Sequence, residues 1–330
     1  MVRKLAFVLG IVVGVAFVQP RLAEAAPAAA STTVFAPYVD MVGANPHLLS
    51  QALQGKLGDF TAGFVLGKPG DGCKPVWDDN TTSAVDENAT NDQIDNAQHS
   101  GARVTPIVSF GGAGGRDLAL TCTNQTKLTQ AYQSVIDRYA LTRIDFDVEG
   151  KALDGPGNAG SIARRLSSIK TLLSNNPGLQ VSYTLPSDWF GLGDTGVAFL
   201  QASKTASVQP ALVNIMAMEF SDSSFADMAD ATENAAEEAL GQLQTKWSSM
   251  TYANLGVTPM AGQNINGKVF TLADAATIDE FARKTAHLGR LAMWSVNRDR
   301  SCGSGDDLSS CSEVSQQPLD FTNAFLKAPK

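Results

Sequence analysis

The chain has 330 residues, 44% of them apolar and 18% charged, with a formal net charge of −8. That length and apolar content suit one large domain or two small ones with a sizeable core, and exclude a disordered chain. The acid excess, with no basic cluster against it, argues against nucleic acid or an anionic membrane as partner.

In chain order, the N-terminus reads as a secretory leader. Arg3 and Lys4 precede Leu5–Val18, an uncharged apolar run of 14 residues, and Ala23-Glu24-Ala25 offers a small-x-small cleavage site. The run is short for a bilayer span, which makes an uncleaved anchor the weaker reading. The expected organisation is a leader over 1–25, a short Ala/Pro linker over 26–31 and one catalytic domain over 32–330. Cleavage removes Arg3, Lys4, Arg21 and Glu24, leaving 22 basic and 32 acidic residues in an extracellular, monomeric protein. Four cysteines in a secreted chain point to two disulfides, with three pairings possible. Cys302 and Cys311 flank a short polar stretch and are expected to staple it, which leaves Cys73 for Cys122. There is no C-x-x-C, and His47, His99 and His287 lie away from any carboxylate motif, so no metal and no cofactor is expected.

After the linker, short apolar runs alternate with helical patterns. The runs are Val34–Val39, Phe60–Leu66, Arg103–Ser109, Arg143–Glu149, Leu179–Leu185, Leu212–Met218, Leu255–Met260 and Leu291–Trp294. Amphipathic stretches such as Gln125–Arg138, Gly160–Leu173, Glu233–Met250 and Leu272–Leu288 lie between them. Eight such units predict an α/β fold, a single-domain (β/α)8 TIM barrel, rather than an open doubly wound sheet. Chemistry is then expected where the strands end.

The fourth run alternates Asp145, Asp147 and Glu149 with Ile144, Phe146 and Val148. A strand puts alternate residues on opposite faces, so the three acids share one face and point into the barrel. Carboxylates buried side by side cannot all ionise, and at least one pKa should rise, as a general acid near neutral pH requires. Glu149, last and nearest the mouth, is the candidate proton donor, Asp147 its neighbour and Asp145 the deeper partner. A magnesium or manganese site is the rival use of such acids.

Other run ends add candidates. Ser109-Phe110-Gly111-Gly112 opens a glycine turn that matches no phosphate-loop pattern. Trp294 could carry the apolar face of a sugar ring or simply fill the core. Gln263 and Asn264 could bond hydroxyls, Met218, Glu219 and Phe220 end the sixth run, Tyr38 ends the first, and Trp77 follows the second. No G-x-S-x-G occurs, which disfavours acyl chemistry.

These motifs resemble glycoside hydrolase family 18, the chitinase family, in its compact bacterial form, over about Thr33–Phe325. The family's D-x-x-D-x-D-x-E reads here Thr142-x-x-Asp145-x-Asp147-x-Glu149, its S-x-G-G is Ser109-Phe110-Gly111-Gly112, and its strand-eight Trp is Trp294. The resemblance implies hydrolysis of β-1,4-linked N-acetylglucosamine by substrate-assisted retention, with chitin or its oligosaccharides as partner. By that likeness Glu149 is the acid, Asp147 orients the acetamido group and Asp145 holds Asp147. The sequence departs from the pattern at Thr142 and at the sixth strand. There Met218 stands where many members carry a Tyr, Glu219 where they carry Asp or Asn, and Phe220 where a second aromatic is often Tyr. Tyr183 on the fifth strand is the candidate to replace the missing hydroxyl. An endo-β-N-acetylglucosaminidase acting on N-glycans and an inactive sugar-binding barrel are the competing functions.

Overall fold

The computed structural model describes residues 33–77, 85, 89–99, 104–154, 158–221 and 224–326. The leader and linker expected over 1–31 lie outside the described residues, as does Arg103 at the head of the third run. The barrel strands are β1 (in two pieces, Val34–Phe35 and Tyr38–Asp40), β2 (Asp59–Lys68), β3 (Thr105–Gly111), β4 (Arg143–Asp147), β5 (Gln180–Asp188), β6 (Leu212–Met216), β7 (Leu255–Thr258) and β8 (Arg290–Leu291).

Each strand pairs in parallel with the next. The two pieces of β1 close the ring: Val34 aligns with Arg290 of β8, and Tyr38 with Thr61 of β2. Proline at 37 removes a donor where the strand changes partner. The eight apolar runs thus correspond to eight barrel strands.

The longer helices are α1 (His47–Gln54), α2 (Ala89–His99), α3 (Gln125–Tyr139), α4 (Asn158–Asn175), α5 (Asp194–Thr205), α6 (Met228–Lys246), α7 (Leu272–Glu280) and α8 (Asp320–Leu326). Local signals set several ends. Asn124 and Asp227 accept backbone N–H groups as N-caps, and Thr271 with Asp274 forms a capping box ahead of α7. Among the described residues no helix is long and apolar enough to cross a membrane.

Outward strand residues pack under these helices. Phe110 of β3 stacks on Phe146 of β4 at 5.4 Å between centroids, and Tyr132 of α3 meets both edge-on. The barrel interior is polar by contrast. Thr61, Ser109, Asp145, Ser182, Thr184, Asn214, Thr258 and Arg290 are all buried, and groups buried in this way need partners.

Strand β2 runs on past the barrel into a hairpin with Asp71–Trp77, turned at Gly70 in the left-handed region. A disulfide joins Cys73 on this hairpin to Cys122, and a second closes Cys302 to Cys311, the pairing that the spacing favoured.

Candidate active site

Strand β4 places Asp145 and Asp147 inward, while Ile144, Phe146 and Val148 are fully buried on the helix side. Register sets their neighbours: Ser109 and Ser182 flank Asp145, and Gly111 and Thr184 flank Asp147. Asp145 accepts hydrogen bonds from Ser109 Oγ at 2.8 Å, Tyr38 Oη at 3.1 Å and Thr184 Oγ1 at 3.0 Å, and from Ser182 Oγ. The buried guanidinium of Arg290 stands 3.5 Å away and donates to Ser182. Hydroxyls and one cation thus occupy this carboxylate, which disfavours a divalent ion there. Among the described residues no cluster of three or more His, Cys, Asp or Glu could hold a metal.

Asp147 has no such shell. It is buried, and its Oδ1 finds no hydrogen-bond partner among the described residues. Burial first, then the charges of Glu149, Asp145 and Asp117, push its carboxyl well above the ordinary range. Glu149 follows on extended backbone, and burial pushes its carboxyl up to about 7. Tyr38 also titrates far above its ordinary value, through burial and then the nearby Asp145 and Asp147.

Asp147 and Glu149 open on a cavity of about 500 Å³ at the C-terminal ends of the strands. The Trp294 indole lines it, stacked on Phe64 at 5.6 Å and 18°, with the Tyr38 ring 6.0 Å away. Both Gly63-Phe64 and Trp294-Ser295 are cis peptides.

Of the residues singled out from sequence, Tyr38, Asp147, Glu149, Met218, Glu219 and Trp294 border this cavity. Ser109 sits beneath it as a donor to Asp145. Gly111 and Gly112 act through the backbone. Both have positive φ; a Cβ on Gly111 would strike the Asp147 carbonyl oxygen, and one on Gly112 would meet the Phe64 ring at 2.7 Å. The Gly112 N–H donates to that same Asp147 oxygen at 3.0 Å. These glycines let β3 approach the acid strand closely.

Four assignments need correction. Trp77 pairs with Val65 in the hairpin, is fully buried and donates from Nε1 to Tyr139 on α3, away from the cavity. Tyr183 faces the helices, where its hydroxyl pairs with Ser203 of α5 at 2.9 Å and its ring packs edge-on against Phe199. It therefore cannot supply the hydroxyl absent at Met218. Gln263 lies outside the cavity lining, in a short strand whose backbone is held by Ser312 and Arg298, and Asn264 is buried in turn contacts.

Sequence reasoning missed Phe64, Thr184 and Ile265 in the lining and Arg290 beneath it. For Thr184 a signal existed: Ser182, Thr184 and Pro186 alternate with Val181, Tyr183 and Leu185, the same period of two that revealed the acids. It also missed the buried pair of Asp117 and Arg165, 2.8 Å apart, behind Gly111.

No family model matches the chain. It is 30% identical over 284 residues to a probable bifunctional chitinase/lysozyme of Escherichia coli (strain K12), covering 81% of this chain and 31% of that one. It is 30% identical over 288 residues to endochitinase 11 of Metarhizium anisopliae, covering 81% of this chain and 52% of that one. The chain thus spans between about a third and a half of the curated relatives it matches. The catalytic domain of a hyperthermophilic chitinase from Pyrococcus furiosus superposes with a TM-score of 0.76 at 27% identity, over 89% of this chain and 94% of that one.

The chain thus shares the closed barrel of a chitinase catalytic domain, and it carries paired acids at the mouth of its fourth strand. The curated relatives and the Pyrococcus domain alike carry the name chitinase, and the similarity extends over 81% to 89% of this chain.

Proposed function

We propose that the protein is a secreted chitinase that hydrolyses β-1,4 linkages between N-acetylglucosamine units with retention, using the substrate's own acetamido group. One observation carries this reading. Glu149, with its carboxyl near pH 7, shares a cavity with Asp147 and the Trp294 indole.

The chemistry divides among these groups. The flat indole offers a floor for a pyranose ring, since an aromatic face buries a large apolar area. Glu149, still half protonated at neutral pH, gives its proton to the departing glycosidic oxygen. The acetamido carbonyl oxygen attacks the anomeric carbon as the glycosidic bond breaks, forming an oxazolinium ion. The unpartnered Oδ1 of Asp147 accepts the acetamido N–H and faces the positive charge that develops. Asp145, fixed by four hydroxyls and Arg290, lies directly below. Glu149, now a carboxylate, takes a proton from the water that opens the oxazolinium ring, and the original configuration returns. Secretion is supported by the leader pattern and by two disulfides, which persist in oxidising surroundings.

The test supplies the protein with N-acetylglucosamine oligomers and with a high-mannose glycopeptide, and follows products by proton NMR. Oligomer cleavage yielding the β-anomer first is the expected result. Glycan release without oligomer cleavage would reassign the substrate, and α-anomer formed first would refute retention.

A further inference from the structure

We infer that Ile265 forms a preorganised apolar wall of the sugar cleft, and that Glu219 is the positioning residue that holds it there rather than a contact for the sugar. The inference rests on the chitinase reading.

Ile265 borders the cavity of Glu149, yet it is 77% exposed, the most exposed of the large apolar side chains among the described residues. A lone exposed isoleucine is ordinary on a protein surface. This one stands out because its backbone is fixed from both sides. It lies at the tip of an antiparallel pair, Gly262–Gln263 with Val269–Phe270. On the β6 side, Glu219 Oε1 accepts the Ile265 N–H at 2.7 Å and Oε2 accepts the Asn266 N–H at 2.8 Å. The Glu219 N–H donates to Asn264 Oδ1 at 3.0 Å, and Asn266 Nδ2 donates to Phe220 O at 3.2 Å. On the β8 side, Arg298 donates to Ala261 O at 3.1 Å and Gln263 O at 2.7 Å. The Gln263 N–H donates to Ser312 O at 2.7 Å, next to the disulfide at Cys311.

Glu219 makes its contacts from the left-handed region, at φ 56°, which side chains of this kind seldom adopt. Both its oxygens are already engaged by backbone amides. The strand-six acid of this chain therefore serves the loop, and the loop presents an aliphatic side chain to the cleft. The occupant that fits is the C–H face of a pyranose ring or an acetamido methyl, which would cover the isoleucine and remove it from water. A wall already ordered spares that cost on binding.

The test is a double-mutant cycle in the inactive Glu149→Gln protein, titrated calorimetrically with the β-1,4-linked N-acetylglucosamine hexamer. Ile265→Ser should weaken binding about five-fold, the worth of partly burying one aliphatic side chain, and Ile265→Val less than about two-fold. Glu219→Ala should weaken it by about as much as Ile265→Ser, and the double variant no further, because one acts through the other. Unchanged affinity in Ile265→Ser would overturn the wall. Losses that multiply in the double variant would make Glu219 a sugar contact and overturn the clasp. A hexamer that fails to bind the Glu149→Gln parent would sink the chitinase reading and this inference together, whereas loss confined to the loop variants leaves that reading intact.

Discussion

Replacing Glu149 by Gln should abolish hydrolysis and yet stabilise the fold above neutral pH. In the folded protein burial raises the Glu149 carboxyl from an ordinary 4.5 to about 7. Each unit is worth about 1.4 kcal/mol, so keeping this group charged costs the native state up to about 3 kcal/mol. The sign follows from the raised value. The neutral acid's advantage in the fold is complete below about 4.5 and is lost as pH climbs to 7. Glutamine stays neutral throughout. The two proteins should therefore unfold alike at pH 4.5 and diverge with rising pH, the variant becoming the more stable. Asp147 shares the strain, since the Glu149 charge is among the causes that push it up, and relief from that charge in the variant adds to the gain. The expected difference at pH 8 is thus about 3 kcal/mol or more. Urea unfolding at the two pH values measures it. A difference that does not change with pH, or a variant less stable at pH 8, would refute the account of how burial tunes this acid.

Three further outcomes follow from the geometry. The kcat of the intact protein should fall as pH rises past about 7, because the donor must carry its proton; a basic limb far above that, in a pH–rate profile, would point to another acid. Tyr183→Phe should cost about 1 kcal/mol in denaturant unfolding by removing the bond to Ser203, while kcat/KM on the hexamer stays within a factor of two. Asp145→Ala should destabilise the protein by about 3–5 kcal/mol, since it strands the buried Arg290 guanidinium without its counter-charge, and Asp145→Ala with Arg290→Met should recover part of that loss in calorimetric melting.

Much of the barrel could be read from the chain because the helix-facing residues of each strand are apolar and these short runs recur between amphipathic helical stretches. The acid strand stood out for the opposite reason, as three charges at period two in a place where water is excluded. The same period was present in β5 and would have sent Tyr183 outward with Val181 and Leu185. An aromatic hydroxyl near the right strand end outweighed the parity that fixes its direction. Trp77 had no such local cue, because its burial depends on the hairpin folding back against α3. Phe64 sits where the β2–β3 register shifts between Ala62 and Val65, so counting along the strand does not place it. Arg290, Ile265 and the Asp117–Arg165 pair owe their surroundings to contacts across the ring, which no single segment records.

The closing of the ring by a divided first strand brings the two ends of the described chain together. Arg283 donates to the carbonyl of Thr33 at 3.2 Å and to that of Phe325 at 2.7 Å, and the rings of Phe35 and Phe325 lie 5.3 Å apart. One guanidinium therefore clips head to tail at the rim where the strands begin, on the side of the barrel away from the cleft. A short peptide bridge could make the backbone circular there, and new ends could be cut at an exposed helix–strand turn, such as the one at Pro177 and Gly178, without disturbing the catalytic mouth.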